Sequence, residues 1–361
     1  MHLRSGVGVV ELTVWLGQDP SDRHWGCPIR EHWGLTAHQQ LSPAWQEKLA
    51  FTATATGSYA EAAAVAAKWG SPVEDSTVQA LVQHQGARAE AQIQARLPQP
   101  PTEALAARAP AELAVLMLDG WLVRQRGSGW GRKRTPHPRV EWHELKTGVF
   151  YRHEQAVQTA GGRGLLAEKV VISWQGEPLE LGRRLHWEAL RGGLGRARNT
   201  LVVADGAPWI WNVVADRWRG ATEVLDFYHA SQHVWEMGRA LGGDEAAVAA
   251  WVEPRLHRLR HGRERAVVAE IAALEVPRGP RGQVVRRERS YLAAHQERMH
   301  YARVSARGWP VGSGAVESAC RQRQCRFKRP GQFWRASGVR HLCALEEARR
   351  NGHWEELWTT A

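Results

Sequence analysis

Lysine, cysteine and long apolar runs are all scarce in this chain of 361 residues. Only six of its 48 basic residues are lysines, and arginine, which supplies the rest, is the base suited to bidentate phosphate contacts. Four cysteines are too few for a disulfide scaffold, so we expect a reducing, cytoplasmic setting. No run of 18 apolar residues occurs and the first ten residues lack a signal-peptide core, which predicts neither a membrane span nor a secretory leader.

Acidic residues are in short supply at one end of the chain. Residues 251–361 contain no aspartate and carry 22 basic side chains against 11 glutamates. Residues 1–250 balance, with 26 bases and 26 acids, so the whole net charge of +11 lies in the last 111 residues. A basic region attached to a neutral one indicates a polyanionic partner, either nucleic acid or a membrane surface. The arginine bias favours phosphate and base contacts, although a GC-rich genome would produce the same bias.

Helical patterns dominate the amino-terminal region, residues 1–97. Helices are predicted over 44–55, from the Ser58–Glu61 capping box to Lys68, and from a cap at Asp75 or Ser76. Two short helices joined by a glycine-containing turn are typical of a helix-turn-helix, and a plain three-helix scaffold is the alternative. The proline-containing segment 98–111 is predicted to be a linker.

Strand-like and helical segments alternate from residue 112 onward, which predicts an α/β architecture with a mixed sheet. A length of 361 residues suggests two or three domains, and the 43% hydrophobic content excludes wholesale disorder. Residues 230–305 return to helical patterning. The strand-like segments are 113–118, 140–151, 169–174 and 200–204.

Two aspartates follow buried-looking runs. Asp119 comes after 113–118 and Asp205 after 200–204, and each is followed by glycine. Strand ends are where α/β folds place their sites, so a fixed, solvated carboxylate there suits catalysis. The alternative is that each Asp-Gly pair only makes a turn.

A third acid stands in the basic region. Phosphoryl chemistry with two metal ions needs several converging carboxylates, and only glutamate is available after residue 250. Glu317 follows the glycine-rich loop 308–314 and opens a helix, and residues 321–340 contain seven bases and no acid. An ordinary first-turn glutamate paired with the base four residues later is the alternative. Helical spacing places on one face Glu317, Arg321, Gln324 and Lys328.

These residues carry a resemblance to a known family. The chain resembles prokaryotic insertion-sequence transposases of the ISKra4 type, which have an RNase H-like DDE catalytic domain, over roughly residues 30–350. Gly57–Ala63 is similar to the family's amino-terminal helical region. The segments that carry the resemblance in the catalytic part are Leu118–Gly120, Val203–Ala207, Asp226–His229 and Gly312–Ser318.

The resemblance implies a fold and a reaction. It implies an RNase H-like mixed sheet with flanking helices over 112–229 and 306–361, interrupted by a helical insertion at 230–305 and preceded by an α-helical amino-terminal domain. It implies metal-dependent cleavage and strand transfer of insertion-sequence ends with two Mg²⁺ (or Mn²⁺) ions. The DDE triad that would bind both ions is Asp119, Asp205 and Glu317.

The resemblance also implies partners and supporting residues. DNA is the expected partner, both element terminal repeats and target, bound by a homo-oligomer in the nucleoid of a prokaryote and not at a membrane. Asp226 and His229 would support the site, although the residues alone suggest packing or helix capping for His229. The bases expected to contact DNA are Arg321, Arg326, Lys328 and Arg329.

Cysteine usage departs from the family. Relatives often carry paired amino-terminal cysteines that suit zinc, whereas this chain has only Cys27 there. The remaining cysteines, at 320, 325 and 343, lack zinc-finger spacing even with His341, so we expect small buried residues.

Tryptophan is unusually abundant, with 19 copies. We expect core packing for most of them. Those that could instead stack on unpaired bases are Trp235, Trp309, Trp334, Trp354 and Trp358.

Two other functions remain open at this point. One is a host nuclease of the same fold that cuts without joining. The other is a non-catalytic DNA-binding remnant of a mobile element, which the retention of all three acids disfavours. A dinucleotide enzyme is not favoured, because no Gly-x-Gly-x-x-Gly links a strand to a helix.

Overall fold

The structure is a computed structural model that describes residues 1–21, 23–33, 35, 40–99, 101, 110–131, 139–162 and 164–359. The predicted linker 98–111 lies largely outside the described residues. The chain forms two compact units. The helical unit comprises Met1–Gln99, Leu122–Glu144 and Gln322–Ala361, and the sheet unit comprises Pro100–Trp121 and Leu145–Arg321.

Strands and helices are numbered along the chain. Strands β1 to β11 are His2–Ser5, Gly8–Glu11, Gly17–Gln18, Trp25–Gly26, Leu113–Arg126, Val140–Arg152, Ala156–Gln158, Gly164–Leu166, Val170–Trp174, Asn199–Ala204 and Thr222–Leu225. Helices α1 to α14 are Pro28–His32, Pro43–Ala55, Tyr59–Lys68, Asp75–Arg96, Pro178–Arg191, Pro208–Arg217, Phe227–Leu241, Glu245–Arg260, Glu264–Ala272, Pro280–Ala294, Tyr301–Ser305, Gly314–Phe327, Ala336–Arg350 and Trp354–Thr359.

Local capping starts the helices of the helical unit. The predicted cap at Ser58 is present, with its side chain accepting the Glu61 amide at 3.1 Å at the start of α3. The predicted cap of α4 at Asp75 or Ser76 is wrong, because Glu74 is the N-cap and makes no side-chain capping bond.

Helices α4 and α13 approach closely in the same unit. A Cβ atom on Gly86 would lie 2.4 Å from the carbonyl oxygen of His341, so glycine is required for this helix crossing. The apolar face of α4, including Val78, Leu81 and Val82, is buried. The helix therefore gains its stability from packing rather than from an isolated capping signal.

A five-stranded mixed sheet organises the sheet unit, in the order β11-β10-β5-β6-β9. Strand β10 is parallel to both β5 and β11, whereas β6 and β9 are antiparallel. The mixed α/β sheet predicted from the alternating pattern is confirmed. The apolar run at 113–118 reads as continuous because strands buried on both faces need apolar side chains on both.

One face of this sheet packs against helices α5 and α6. Alternate residues Leu116 and Leu118 of β5 join a buried cluster with Leu181, Leu185 and Val213. Leu113, Val115 and Met117 are buried on the opposite face. Because side chains alternate along a strand, Asp119 continues that second row and lies away from the α5–α6 layer.

Helices α7 to α11 fill the interval between β11 and the loop before α12. Helix α10 packs along α7, and α7 packs against α8. A Cβ on Gly238 of α7 would lie 2.8 Å from Val252 of α8, so small residues permit this close contact. The helical patterning predicted for 230–305 is confirmed, with α7 starting slightly earlier, at Phe227.

Candidate active site

The register of the parallel strands brings three carboxylates to one edge of the sheet. Ala204 of β10 is paired with Leu118 of β5 on one side and with Leu225 of β11 on the other. Each of these three paired residues is followed directly by an aspartate, so the carboxylates occupy matching positions on neighbouring strands. They are Asp119, Asp205 and Asp226.

Asp119 and Asp205 differ in their backbone setting. Asp205 directly follows the last residue of β10, as predicted. The prediction that Asp119 ends a strand is wrong, because β5 continues through Asp119 to Arg126. Strand pairing, which short apolar runs do not reveal, extends β5 beyond the continuous apolar run into a part where only alternate residues are buried. The pair Asp119-Gly120 is therefore strand and not turn.

The Asp119 carboxyl is largely withdrawn from water. Burial raises its pKa above the ordinary value, and the charges of Asp205 and Glu317 raise it further. Hydrogen bonds from Cys320 and from the backbone amide of Gly120, the latter at 2.7 Å, act in the opposite direction. The structure thus places Asp205 and Glu317 within electrostatic reach of Asp119.

Helix α12 supplies two groups to this region. Glu317 lies in its first turn, is exposed, and accepts a hydrogen bond of 3.3 Å from the Ser313 hydroxyl. One turn later, the buried Cys320 hydrogen-bonds to Asp119. The predicted burial of the cysteines is confirmed for Cys320 and Cys343 and wrong for Cys325, which is exposed, and the contact of Cys320 with Asp119 was not predicted. The available signal was its position three residues after Glu317, which places both on one helix face.

Asp226 is a connecting residue and not a free carboxylate. It is buried, and its Oδ1 accepts the amide of His229 at 2.8 Å, which caps α7. Its Oδ2 accepts the amide of Ser313, and the neighbouring Phe227 amide donates to the carbonyl of Val311 at 2.9 Å. Asp226 therefore fixes the loop that leads into the Glu317 helix.

Two side chains, Tyr291 of α10 and His295 directly after it, contact the turn after Asp205. A Cβ on Gly206 would lie 2.4 Å from Cε2 of Tyr291 and 2.6 Å from Nε2 of His295. The glycine is needed for this approach and not for a left-handed backbone. Burial raises the pKa of Tyr291 and lowers that of His295, which favours the neutral form of each.

A series of polar side chains contacts Tyr291. Its ring stacks on His233 with centroids 3.7 Å apart. His233 contacts the fully buried Glu288 through Nδ1, and its Nε2 lies 3.2 Å from Nε2 of His229. These polar contacts join helices α7 and α10. His229 belongs to this series, in addition to donating its amide to Asp226.

The four bases predicted to contact DNA have different surroundings. Arg321 is exposed and Lys328 is half-buried. Arg329 forms an ion pair with Glu61. Arg326 is buried, with its guanidinium 4.6 Å from the Tyr59 ring and its Nη1 donating to the carbonyl of Gly57 at 3.2 Å. A DNA contact by Arg326 would require it to leave this packing.

The donor chemistry of the site fits magnesium, although the spacing is not that of a formed centre. Carboxylate oxygens are the ligands Mg²⁺ prefers, and the like charges that raise the pKa of Asp119 are those a cation would neutralise. Within the described part of the chain, no three His, Cys, Asp or Glu side chains stand together closely enough to hold a metal ion. These same residues therefore form no cluster that could hold zinc. All four cysteines are free thiols.

Comparison with known proteins gives one distant relative and no family model that matches. The chain is 24% identical to a Streptococcus gallolyticus protein described as "UPF0236 protein in vanSb 3'region", over 347 residues that cover 91% of this chain and 68% of that protein. The description states no activity. Among the described residues, no helix is long and apolar enough to cross a membrane.

Proposed function

We propose that the protein is a DNA transposase with an RNase H-like catalytic domain, which cuts and joins insertion-sequence ends. The observation that carries the proposal is the strand register, with Ala204 paired to both Leu118 and Leu225, which sets Asp119 beside Asp205. Glu317, from a distant part of the sequence, is the third acid, and it is near enough for its charge to raise the pKa of Asp119. The alternatives, a nuclease that cuts without joining and a non-catalytic remnant, differ from it in their products.

The chain's own residues have definable roles in this proposal. Asp119, Asp205 and Glu317 would hold two magnesium ions, which when bound supply Lewis acidity and activate the attacking oxygen. Asp226 orients the loop before Glu317, and Tyr291 with His295 orients the turn after Asp205. Cys320 donates to Asp119 and keeps that carboxylate in a fixed orientation.

Isosteric substitution of the acids tests the catalytic assignment. Asp119→Asn, Asp205→Asn and Glu317→Gln are each expected to abolish Mg²⁺-dependent cleavage of a plasmid carrying the gene with its natural flanking DNA. The control is Asp216→Asn, at a partly exposed aspartate that pairs with Arg217 on α6. Strand-transfer products on labelled element ends separate transposase from nuclease. Cleavage by any of the three variants at the unmodified rate would contradict the assignment.

Stability provides a readout that is independent of cleavage. Because the Asp119 pKa is raised in the folded state, the charged carboxylate opposes folding at neutral pH. Asp119→Asn should therefore raise the melting temperature at pH 7, and the gain should vanish as the pH falls through the folded pKa toward the ordinary value of 3.8. Mg²⁺ should raise the melting temperature of the unmodified protein and have less effect on Asp119→Asn. Equal Mg²⁺ stabilisation of both would contradict the metal assignment.

A further inference from the structure

A cleft of about 380 Å³ lies in the helical unit and contains none of the candidate catalytic carboxylates in its lining. Its lining includes Arg126, Arg335, Gln79 and Gln83, and none of the described residues that line it is acidic. Arg335 is exposed, and Arg126 donates its Nε to an uncharged partner, the carbonyl oxygen of Phe333, at 3.0 Å. The cleft therefore suits an anionic group.

The first turn of α13 adds to this character. Ser337 and Gly338 line the cleft, and the N-cap residue Arg335 makes no side-chain capping bond. The opening amides of this 15-residue helix are thus left to other acceptors, and they favour negative charge. These amides and the two arginines, Arg126 and Arg335, therefore favour the same kind of ligand, an anionic group.

Alternating aromatic rings and guanidinium groups flank the cleft. The Phe333 and Trp130 rings are 4.7 Å apart between centroids, and both side chains are half-buried. The Arg124 guanidinium lies 5.2 Å from the Phe333 ring and that of Arg126 lies 5.7 Å from the Trp130 ring. Aromatic faces interleaved with arginines are the surface on which unpaired bases stack.

Trp334, which the sequence singled out for stacking, has a different role. It is buried, packs on Phe327 with centroids 4.9 Å apart, and donates Nε1 to the Phe327 carbonyl at 3.0 Å. Its ring is therefore committed to the core. The neighbouring Phe333 and Trp130, in contrast, are only half-buried.

We propose that this cleft and ring pair form a binding site for single-stranded DNA. A phosphate lies against Arg126 and Arg335, and an unpaired base stacks on the Phe333–Trp130 pair. Duplex DNA keeps its bases stacked on each other and presents no free face to these rings, so the site selects unpaired strands. The inference rests on the proposed function for the identity of the polyanion as DNA.

Fluorescence anisotropy tests the proposal with the full chain in EDTA. The probe is a fluorescein-labelled oligo(dT) of about 12 nucleotides, a length within the range that single-strand binding proteins cover. Trp130→Ala should raise its Kd by about tenfold, since stacking on one aromatic ring contributes that much. Arg335→Gln should raise the Kd and lower its salt dependence.

The matched control is Arg198→Gln, which removes an exposed arginine paired with Glu112 in the sheet unit. The Kd of this variant for oligo(dT) should stay within about twofold of that of the unmodified protein, because Arg198 lies outside the cleft. Melting temperatures confirm that each variant is folded, and Arg335→Gln, at an exposed position, provides a second test if Trp130→Ala does not fold.

Three outcomes would overturn the proposal. The first is an unchanged oligo(dT) Kd in both cleft variants, and the second is equal competition by duplex DNA. The third is competition by polyphosphate as strong as that by unlabelled oligo(dT), which would reduce the site to a charged surface. Because the assay contains no Mg²⁺, its outcome does not depend on metal binding by the three acids. Failure of the catalytic proposal and failure of this one are thus distinguishable.

Discussion

At the scale of single residues, Gly206 shows how the site constrains the sequence. The Asp-Gly pair at 205–206 has the composition of a turn, yet its glycine is required by the Tyr291 and His295 side chains that press on it. The Tyr291 ring is held in place because it stacks on the His233 ring, with centroids 3.7 Å apart. The geometry of the turn after Asp205 therefore depends on helix α10.

Gly206→Ala should destabilise the protein and impair cleavage. Forcing one methyl group into this contact is expected to cost about 1–3 kcal/mol, by analogy with overpacked cores. Chemical denaturation gives the change in the free energy of unfolding. Gly161→Ala is the control, since a Cβ there meets nothing within 4 Å, and it should change stability by less than about 0.5 kcal/mol. Similar values for the two variants would refute the close contact.

At the scale of elements, Asp226 joins helix α7 to the loop before α12. A helix cap normally satisfies one end of one helix, whereas this buried carboxylate accepts amides from both segments. Asp244 provides the comparison within the same chain. It caps α8 by accepting only the Ala247 amide, at 2.8 Å, and it is exposed.

The two caps should therefore respond differently to alanine. Asp244→Ala is expected to lower the free energy of unfolding by about 1 kcal/mol, as for an ordinary cap. Asp226→Ala should lower it by about 2–4 kcal/mol, because the Ser313 amide also loses its buried acceptor. Denaturant titration of both variants measures the difference. If the two losses are equal, the second hydrogen bond contributes nothing to stability.

At the scale of the whole molecule, the net charge of +11 is the main expected determinant of polyanion binding. The predicted DNA contacts are not equivalent, however. Arg321 is exposed, whereas Arg326 is buried against Tyr59 and pairs with a backbone carbonyl. Removing the Arg321 side chain should therefore weaken DNA binding, whereas removing the Arg326 side chain should lower the stability of the fold.

Salt titration of duplex DNA binding separates these two effects. The affinity of the unmodified protein should fall steeply with salt, by about a thousandfold between 50 and 200 mM if about six phosphates are contacted. Arg321→Gln should reduce the logarithmic salt slope by about one and leave the melting temperature unchanged. Arg326→Gln should lower the melting temperature instead. A reduced slope with normal stability in Arg326→Gln would show that its side chain reaches DNA.

Parts of the fold follow from local signals alone. The Ser58 cap and the strands β9 and β10 were predictable because caps and apolar runs are properties of neighbouring residues. The length of β5 was not, since the part after Asp119 lacks a continuous apolar run and is held by pairing with the neighbouring strand β6. The roles of Cys320 and Tyr291 were also missed, because each acts on a residue far away in the sequence.

The sequence by itself determined the α/β character, the position of the charge and the identity of three candidate acids, since composition and short-range pattern specify these. Only the tertiary structure decided which residues meet. The register of β10 aligns Asp119, Asp205 and Asp226, the loop fixed by Asp226 brings in Glu317, and packing withdraws Arg326 and Trp334 from the surface. The physical reason is that strand register and burial depend on contacts between distant segments, which no local pattern encodes.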